Sequence, residues 1–291
     1  MPKITSVLGN SQKLDGGAMF GNAPKTMWSK WLPPDELGRI SLKCRTMLIQ
    51  HQGKNWLLEA GIGAFFEPKL AERYGIENPQ VHELLAHLKD VGLSESDIDY
   101  VILSHLHFDH AGGLLTSFED AQRNGERLLF PNATYVLGRS ALERALSPHP
   151  RDKASFIPKL NQLLVDSNRL LVVDSETIPS SDFAPFKFFF TDGHTPGQMH
   201  TLFQGAQEKI FFCGDIIPGI PWIHIPITMG YDRFAEQVIN EKEKILELAR
   251  EQNWYLYFTH DQATAMARVY RDDHGKFLPK DLIAEPVGLE V

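Results

Sequence analysis

The chain has 291 residues, 43% of them apolar and 23% charged, with a formal net charge of −8. That length buries a sizeable core, as one large domain or two closely packed halves. The acidic balance argues against wrapping nucleic acid and against a polybasic membrane contact, and no run approaches the roughly 18 apolar residues of a spanning helix.

Ile4 to Leu8 reads as a first strand. Residues 9–39 follow, punctuated by Gly9, Gly16, Gly17, Gly21, Pro24, Pro33, Pro34 and Gly38, and no regular element is expected there. The same stretch carries Met19, Phe20, Met27, Trp28, Trp31 and Leu32, too apolar for a solvated loop. It is either a strap on the core or the lining of a pocket. Ser41 to Gln50 and Asn55 to Ala60 form an expected hairpin. Gln80 to Val91 shows helical spacing of Val81, Leu84, Leu85 and Leu88 and stops at Gly92. Ser94 and Asp97 have the spacing of a capping box. A strand then runs through Tyr100-Val101-Ile102-Leu103.

Further on, 139–146 and 153–165 read as helices, and 169–173, 186–191, 201–204 and 209–213 as strands. The longest helix is expected over 232–252, followed by a strand from Trp254 to Thr259. A short hairpin over 268–270 and 276–278 closes the chain. Strands and helices in both halves fit two sheets face to face with helices outside, in a single domain over 1–291. Cys44 and Cys213 are too few and too far apart for a disulfide framework, and Met1-Pro2-Lys3-Ile4-Thr5 leads into no secretory apolar run. The expectation is a soluble cytoplasmic protein.

The chemistry concentrates in Ser104-His105-Leu106-His107-Phe108-Asp109-His110-Ala111-Gly112-Gly113. Imidazoles and a carboxylate at this density suit a divalent transition ion, and without a cation they would repel one another or stay unsatisfied if buried. The plain alternative is a solvated histidine-rich loop. Against it, three more apolar strands end in a ligand beside a turn-former: Thr191-Asp192-Gly193-His194, Phe212-Cys213-Gly214-Asp215 and Phe258-Thr259-His260. Ligands at strand ends are held more rigidly than ligands on free loops.

These residues resemble the metallo-β-lactamase superfamily, whose His-x-His-x-Asp-His motif is matched at every ligand position. The resemblance implies an αββα sandwich of α/β class, with two mixed sheets face to face and two divalent metal ions, zinc by preference, at one edge. His105, His107 and His194 would bind one metal, Asp109, His110 and His260 the second, and Asp215 both. Hydrolysis by a metal-activated hydroxide follows. His51, His82, His87, His149 and His274 read as surface or structural. His200 reads either as a residue orienting a ligand or as a plain strand residue, and His224 as a candidate for the pocket.

The segments Leu14 to Gly21 and Pro24 to Lys30 further resemble YtnP-like quorum-quenching lactonases. The likeness continues into Asn55 to Gly63, where that family tends to have Asp rather than Ala60, and into Tyr231-Asp232. It implies opening of the lactone ring of an N-acyl homoserine lactone, a small-molecule substrate, by a monomer or homodimer. Met19, Phe20, Trp28, Trp31, Trp222 and His224 are then the candidates for substrate binding, and Tyr231 or Asp109 for the proton donor. The alternative enzyme is a phosphotriesterase of the methyl parathion hydrolase type; a non-catalytic metal-binding module is the alternative outside enzymes. Scattered Arg268, Arg271, Lys276 and Lys280 do not make the basic patch of a glyoxalase II-like thioesterase. No nucleic-acid or membrane partner is expected.

Overall fold

Short apolar runs such as Tyr100–Leu103 and Thr134–Gly138 bury residues on both faces, as central strands of a parallel sheet do. In the computed structural model, which describes residues 1–291, they lie in a seven-stranded sheet. Its order is Leu289–Glu290, Lys3–Leu8, Arg45–His51, Lys54–Leu58, Tyr100–Leu103, Thr134–Gly138 and Leu170–Val173. The first four are antiparallel neighbours, and the run from Lys54–Leu58 onward is parallel.

A second sheet of six strands runs Phe277–Ile283, Met266–Arg271, Tyr255–Tyr257, Lys209–Phe212, Gln198–Gln204 and Phe186–Thr191. Only the pair Lys209–Phe212 and Tyr255–Tyr257 is parallel.

Between the sheets lie Ile49, Trp56 and Ile102 from the first and Phe188, Phe203 and Tyr257 from the second, all in one buried cluster. Fully burying such a side chain contributes about 1.5–3 kcal/mol. Outside the first sheet, Leu84 and Leu88 of helix Glu83–Asp90 and Leu160 and Leu164 of helix Pro158–Asp166 join a cluster with Val101 and Leu103. Outside the second, Val238, Ile245 and Leu246 of helix Ala235–Glu251 join Phe211 and Leu256. The layers are therefore helix, sheet, sheet, helix: the αββα sandwich.

Three local differences from the sequence reading have physical causes. Residues 9–39 are not irregular: Gln12–Asp15 pairs antiparallel with Arg39–Leu42, and the short helices Gly16–Phe20 and Lys25–Trp28 lie between. Asp15 starts the first helix by accepting from Ala18 N at 2.7 Å. Gly16 is needed for packing, since a Cβ there would sit 2.5 Å from the Trp28 ring. The segment expected as one helix over 153–165 breaks into a 3-10 turn, Lys153–Ser155, and a helix that Pro158 opens. The structure adds three elements that the sequence reading lacks, strand Thr134–Gly138 and helices Pro68–Arg73 and Phe118–Asn124. The capping box of Ser94 and Asp97 is present.

Candidate metal centre

Every predicted ligand leaves a strand at the same edge of the sandwich. Tyr100–Leu103 delivers His105 and His107, and the following turn Phe108–Ala111 brings Asp109 and His110 back toward them. Phe186–Thr191 delivers His194, Lys209–Phe212 delivers Asp215 and Tyr255–Tyr257 delivers His260. Gly214 makes the turn into Asp215 at φ +50°, a left-handed conformation that favours glycine, and a Cβ there would meet Gln198 Nε2 at 2.4 Å.

The seven side chains come together. His105, His107 and His194 form one group, His105, His110 and Asp215 a second, and Asp109, His110 and His260 a third, with ligand atoms within 4.8 Å of one another in each. Asp215 stands in the middle: Oδ1 lies 3.1 Å from His110 Nε2 and 3.2 Å from His260 Nε2, and Oδ2 lies 3.3 Å from His194 Nε2. On the flanks, His194 Nε2 is 3.3 Å from His107 Nδ1 and His260 Nε2 is 3.6 Å from Asp109 Oδ2.

The far sides of these rings are anchored. Ser104 Oγ meets His105 Nδ1 at 2.8 Å, Asp232 Oδ1 meets His194 Nδ1 at 2.9 Å, and the Lys43 carbonyl meets His260 Nδ1 at 2.6 Å. Glu59 Oε2 lies 3.3 Å from His110 Nδ1 while its Oε1 accepts from Ser104 N at 2.7 Å. Glu59 sits at φ +67°, a backbone cost borne where it supports the site. These contacts turn the remaining nitrogens inward, as partners of metal-bound histidines do.

The inward atoms lack partners. His105 Nε2, His107 Nε2, His110 Nε2 and Asp215 Oδ1 are buried and make no hydrogen bond. Buried lone pairs left facing one another are costly unless a cation takes them, so the donor set fits divalent metal ions. Burial, and then the neighbouring imidazoles, hold His105 and His107 well below the ordinary histidine range. Burial also opposes charge on His110 and His260, but Asp215 outweighs it and holds both well above that range. Asp215 itself is held low: burial would raise it, and His110, His260 and His194 overcome that.

Residues 42–260 match the metallo-beta-lactamase superfamily. The chain belongs to that superfamily. Among its relatives, an N-acyl homoserine lactonase of a Bacillus species is 32% identical over 211 residues, covering 68% of either chain. The N-acyl homoserine lactonase AiiA of Bacillus thuringiensis subsp. kurstaki is 26% identical over 211 residues, again 68% of each. Of solved structures, a probable metal-dependent hydrolase from Staphylococcus aureus superposes with TM-score 0.83 at 28% identity, over 97% of this chain and 98% of that one. AidC, a dizinc quorum-quenching lactonase bound to N-hexanoyl-L-homoserine, shares the fold at TM-score 0.71 and 20% identity, over 96% and 94% of the two chains.

In this member of the superfamily a cavity of about 210 Å³ opens onto the histidine cluster. Of the residues expected from sequence to bind substrate or donate a proton, Met19 and Tyr231 line it. Phe20, Trp28 and Trp222 do not. They are at most 3% exposed, and the Phe20 ring stacks on Trp28 at 5.7 Å and on Trp222 at 4.6 Å, all three packed in the core rather than lining the cavity. Trp31 and His224 line a separate depression beside strand Phe277–Ile283. His200 is a buried strand residue: Thr191 Oγ1 meets its Nε2 at 2.8 Å, and burial pulls its pKa to about 4. Sequence reasoning missed Gln12, Glu59, Tyr74, Arg151 and Arg233 around the site. Glu59 had a signal, standing next to Ala60, where the resembled lactonases tend to have Asp; the others had none.

Proposed function

We propose that this protein is a dinuclear metal-dependent hydrolase that opens the lactone ring of N-acyl homoserine lactones. The reading rests on one observation above all: seven ligand side chains from four strand ends gather, and inner atoms of four of them, His105, His107, His110 and Asp215, are buried without a hydrogen-bond partner. Relatives named N-acyl homoserine lactonases, matched over two thirds of both chains, support the substrate. His105, His107 and His194 would hold one cation, Asp109, His110 and His260 the other, with Asp215 common to both. A nitrogen-rich set of this kind favours zinc. When bound, such a pair supplies Lewis acidity toward a carbonyl oxygen and a water acidified toward neutral pH.

The chain's own residues do the rest. Ser104, Asp232 and Lys43 fix the ring orientations, so the site is organised before substrate arrives. Leu14, Met19, Tyr74, Phe108 and Met229 give the cavity an apolar wall that can receive an acyl chain and exclude water. Burial, and then the Asp109 carboxylate, push the Tyr231 phenol up to about 12. It therefore stays protonated through the neutral range and can give its proton to the departing ring oxygen. The two buried free thiols, Cys44 and Cys213, support a reducing compartment.

The test is elemental analysis of zinc-loaded protein together with a pH-stat assay of N-hexanoyl homoserine lactone beside paraoxon. Two metal equivalents and lactone turnover are expected. Turnover of the phosphotriester alone, or bound metal with neither activity, overturns the reading.

A further inference from the structure

The cavity lining is not all apolar. Arg151 and Arg233 also line it, two guanidinium groups with no carboxylate within 4.0 Å of either. Cations on a pocket wall are ordinarily neutralised by an adjacent acid. Here Asp152 also lines the cavity, but Arg144 takes its Oδ2 through Nε at 2.9 Å and Nη2 at 2.7 Å. Asp152 Oδ1 is buried and unpartnered, and it too lies beyond 4.0 Å from Arg233. Asp109 and Asp215, the other acids of the cavity, are engaged by the histidine cluster.

Both arginines are held in place by loop backbone rather than by charge. Arg151 Nη2 donates to the Gly230 carbonyl at 3.3 Å, and Arg233 Nε donates to the Tyr231 carbonyl at 2.9 Å. The same short loop therefore positions both groups beside Tyr231. Arg233 Nη1 is buried with no partner, a donor whose desolvation nothing on the protein offsets. Burial, and then the charge of Arg151, lower the pKa of Arg233 from its ordinary value, consistent with two cations sharing one site. A planar guanidinium pair of this kind is suited to a carboxylate, which accepts several charge-assisted hydrogen bonds at once.

We propose that Arg151 and Arg233 form an anion subsite of the cavity, and that the favoured lactone carries a carboxylate at the far end of its acyl chain. This rests on the lactonase reading: the ring would meet the metal cluster and the chain would run along the apolar wall. The subsite selects what the far end of that chain bears.

The experiment compares kcat/KM for N-adipoyl and N-suberoyl homoserine lactones with their alkyl counterparts, N-hexanoyl and N-octanoyl, on zinc-loaded protein. Wild type should favour one or both acid-ended chains roughly tenfold or more, mainly through KM, the size of one partly exposed charge-assisted contact. The ratio should collapse toward unity in Arg151→Gln and in Arg233→Gln, and it should shrink in high salt. A wild-type ratio at or below unity for both chain lengths, or a preference that survives both substitutions, overturns the subsite. Unreactive N-adipoyl and N-hexanoyl glycinamides, compared by calorimetry, separate it from the lactonase reading. If no lactone is opened, tighter binding of the adipoyl amide that Arg151→Gln removes still upholds the subsite, and equal binding ends it.

Discussion

Gln12 Nε2 donates a 2.7 Å hydrogen bond to Asp109 Oδ2, so a strand 97 residues upstream holds one oxygen of the His-x-His-x-Asp-His motif. Gln12 is fully buried. Removing its amide leaves a carboxylate oxygen short of a donor, at a cost of about 1–3 kcal/mol. Gln12→Ala should lower kcat about tenfold and weaken the metal site served by Asp109, with circular dichroism unchanged. Wild-type turnover and wild-type metal content would mean that Asp109 needs no such support.

Asp232 occupies both ends of a small network, with Oδ1 on His194 Nδ1 and Oδ2 accepting from Met229 N at 2.7 Å. It therefore couples the orientation of one ligand to the loop carrying Met229 and Tyr231. Asp232→Asn keeps the shape but loses the charge, and partners of this type are worth about 10–100-fold in metal affinity. Competition against a chelator should show that loss, confined to one of two bound equivalents. An unchanged titration would reduce Asp232 to a loop anchor.

Asp109→Asn and His110→Ala each remove a ligand proposed for the second cation. Both are expected to abolish lactone hydrolysis and to halve the zinc content while the unfolding transition survives. Full activity after metal analysis in either variant would contradict the assignment.

The histidine cluster was legible because ligand chemistry is written in residue identity: only strand ends rich in His and Asp make such a set, whatever the surroundings. The two-sheet architecture was legible for a related reason, since each ligand follows an apolar run. The substrate wall was not. Whether an aromatic such as Trp28 or Trp222 faces a cavity or lies beneath it depends on how residues 9–39 fold back, and a short helix-turn-helix with a two-strand clamp leaves little periodic trace. Arg151 and Arg233 were invisible for the opposite reason: single surface-type residues acquire meaning only when a loop brings them together.

Trp28 shows the consequence. As a residue lining the pocket it would discriminate among acyl chain lengths; as a 3% exposed ring stacked on Phe20 it holds the N-terminal segment to the core. Trp28→Ala should therefore destabilise the fold by about 3–5 kcal/mol, measured by urea denaturation, and alter turnover of short and long chains in equal proportion. A selective rise in KM for long chains with stability intact would restore the pocket role.

Helix Ala235–Glu251 buries a lysine, and this gives the protein a pH signature away from the metals. Lys242 is fully buried, its Nζ donating to the carbonyls of His224 at 3.2 Å and Ile227 at 2.5 Å. Burial pulls its pKa from 10.5 to about 7, with only Asp232 opposing. The unfolded chain keeps this proton up to about pH 10.4, so between the two values the unfolded state binds more protons than the native one. Stability linked to Lys242 must then rise with pH across that window and stay level below it, where both states are protonated. Lys242→Met lacks the effect, so the difference in unfolding free energy, wild type minus variant, should climb from about pH 7 to about pH 10. A level difference over that range would show that the two carbonyls keep the ammonium charged.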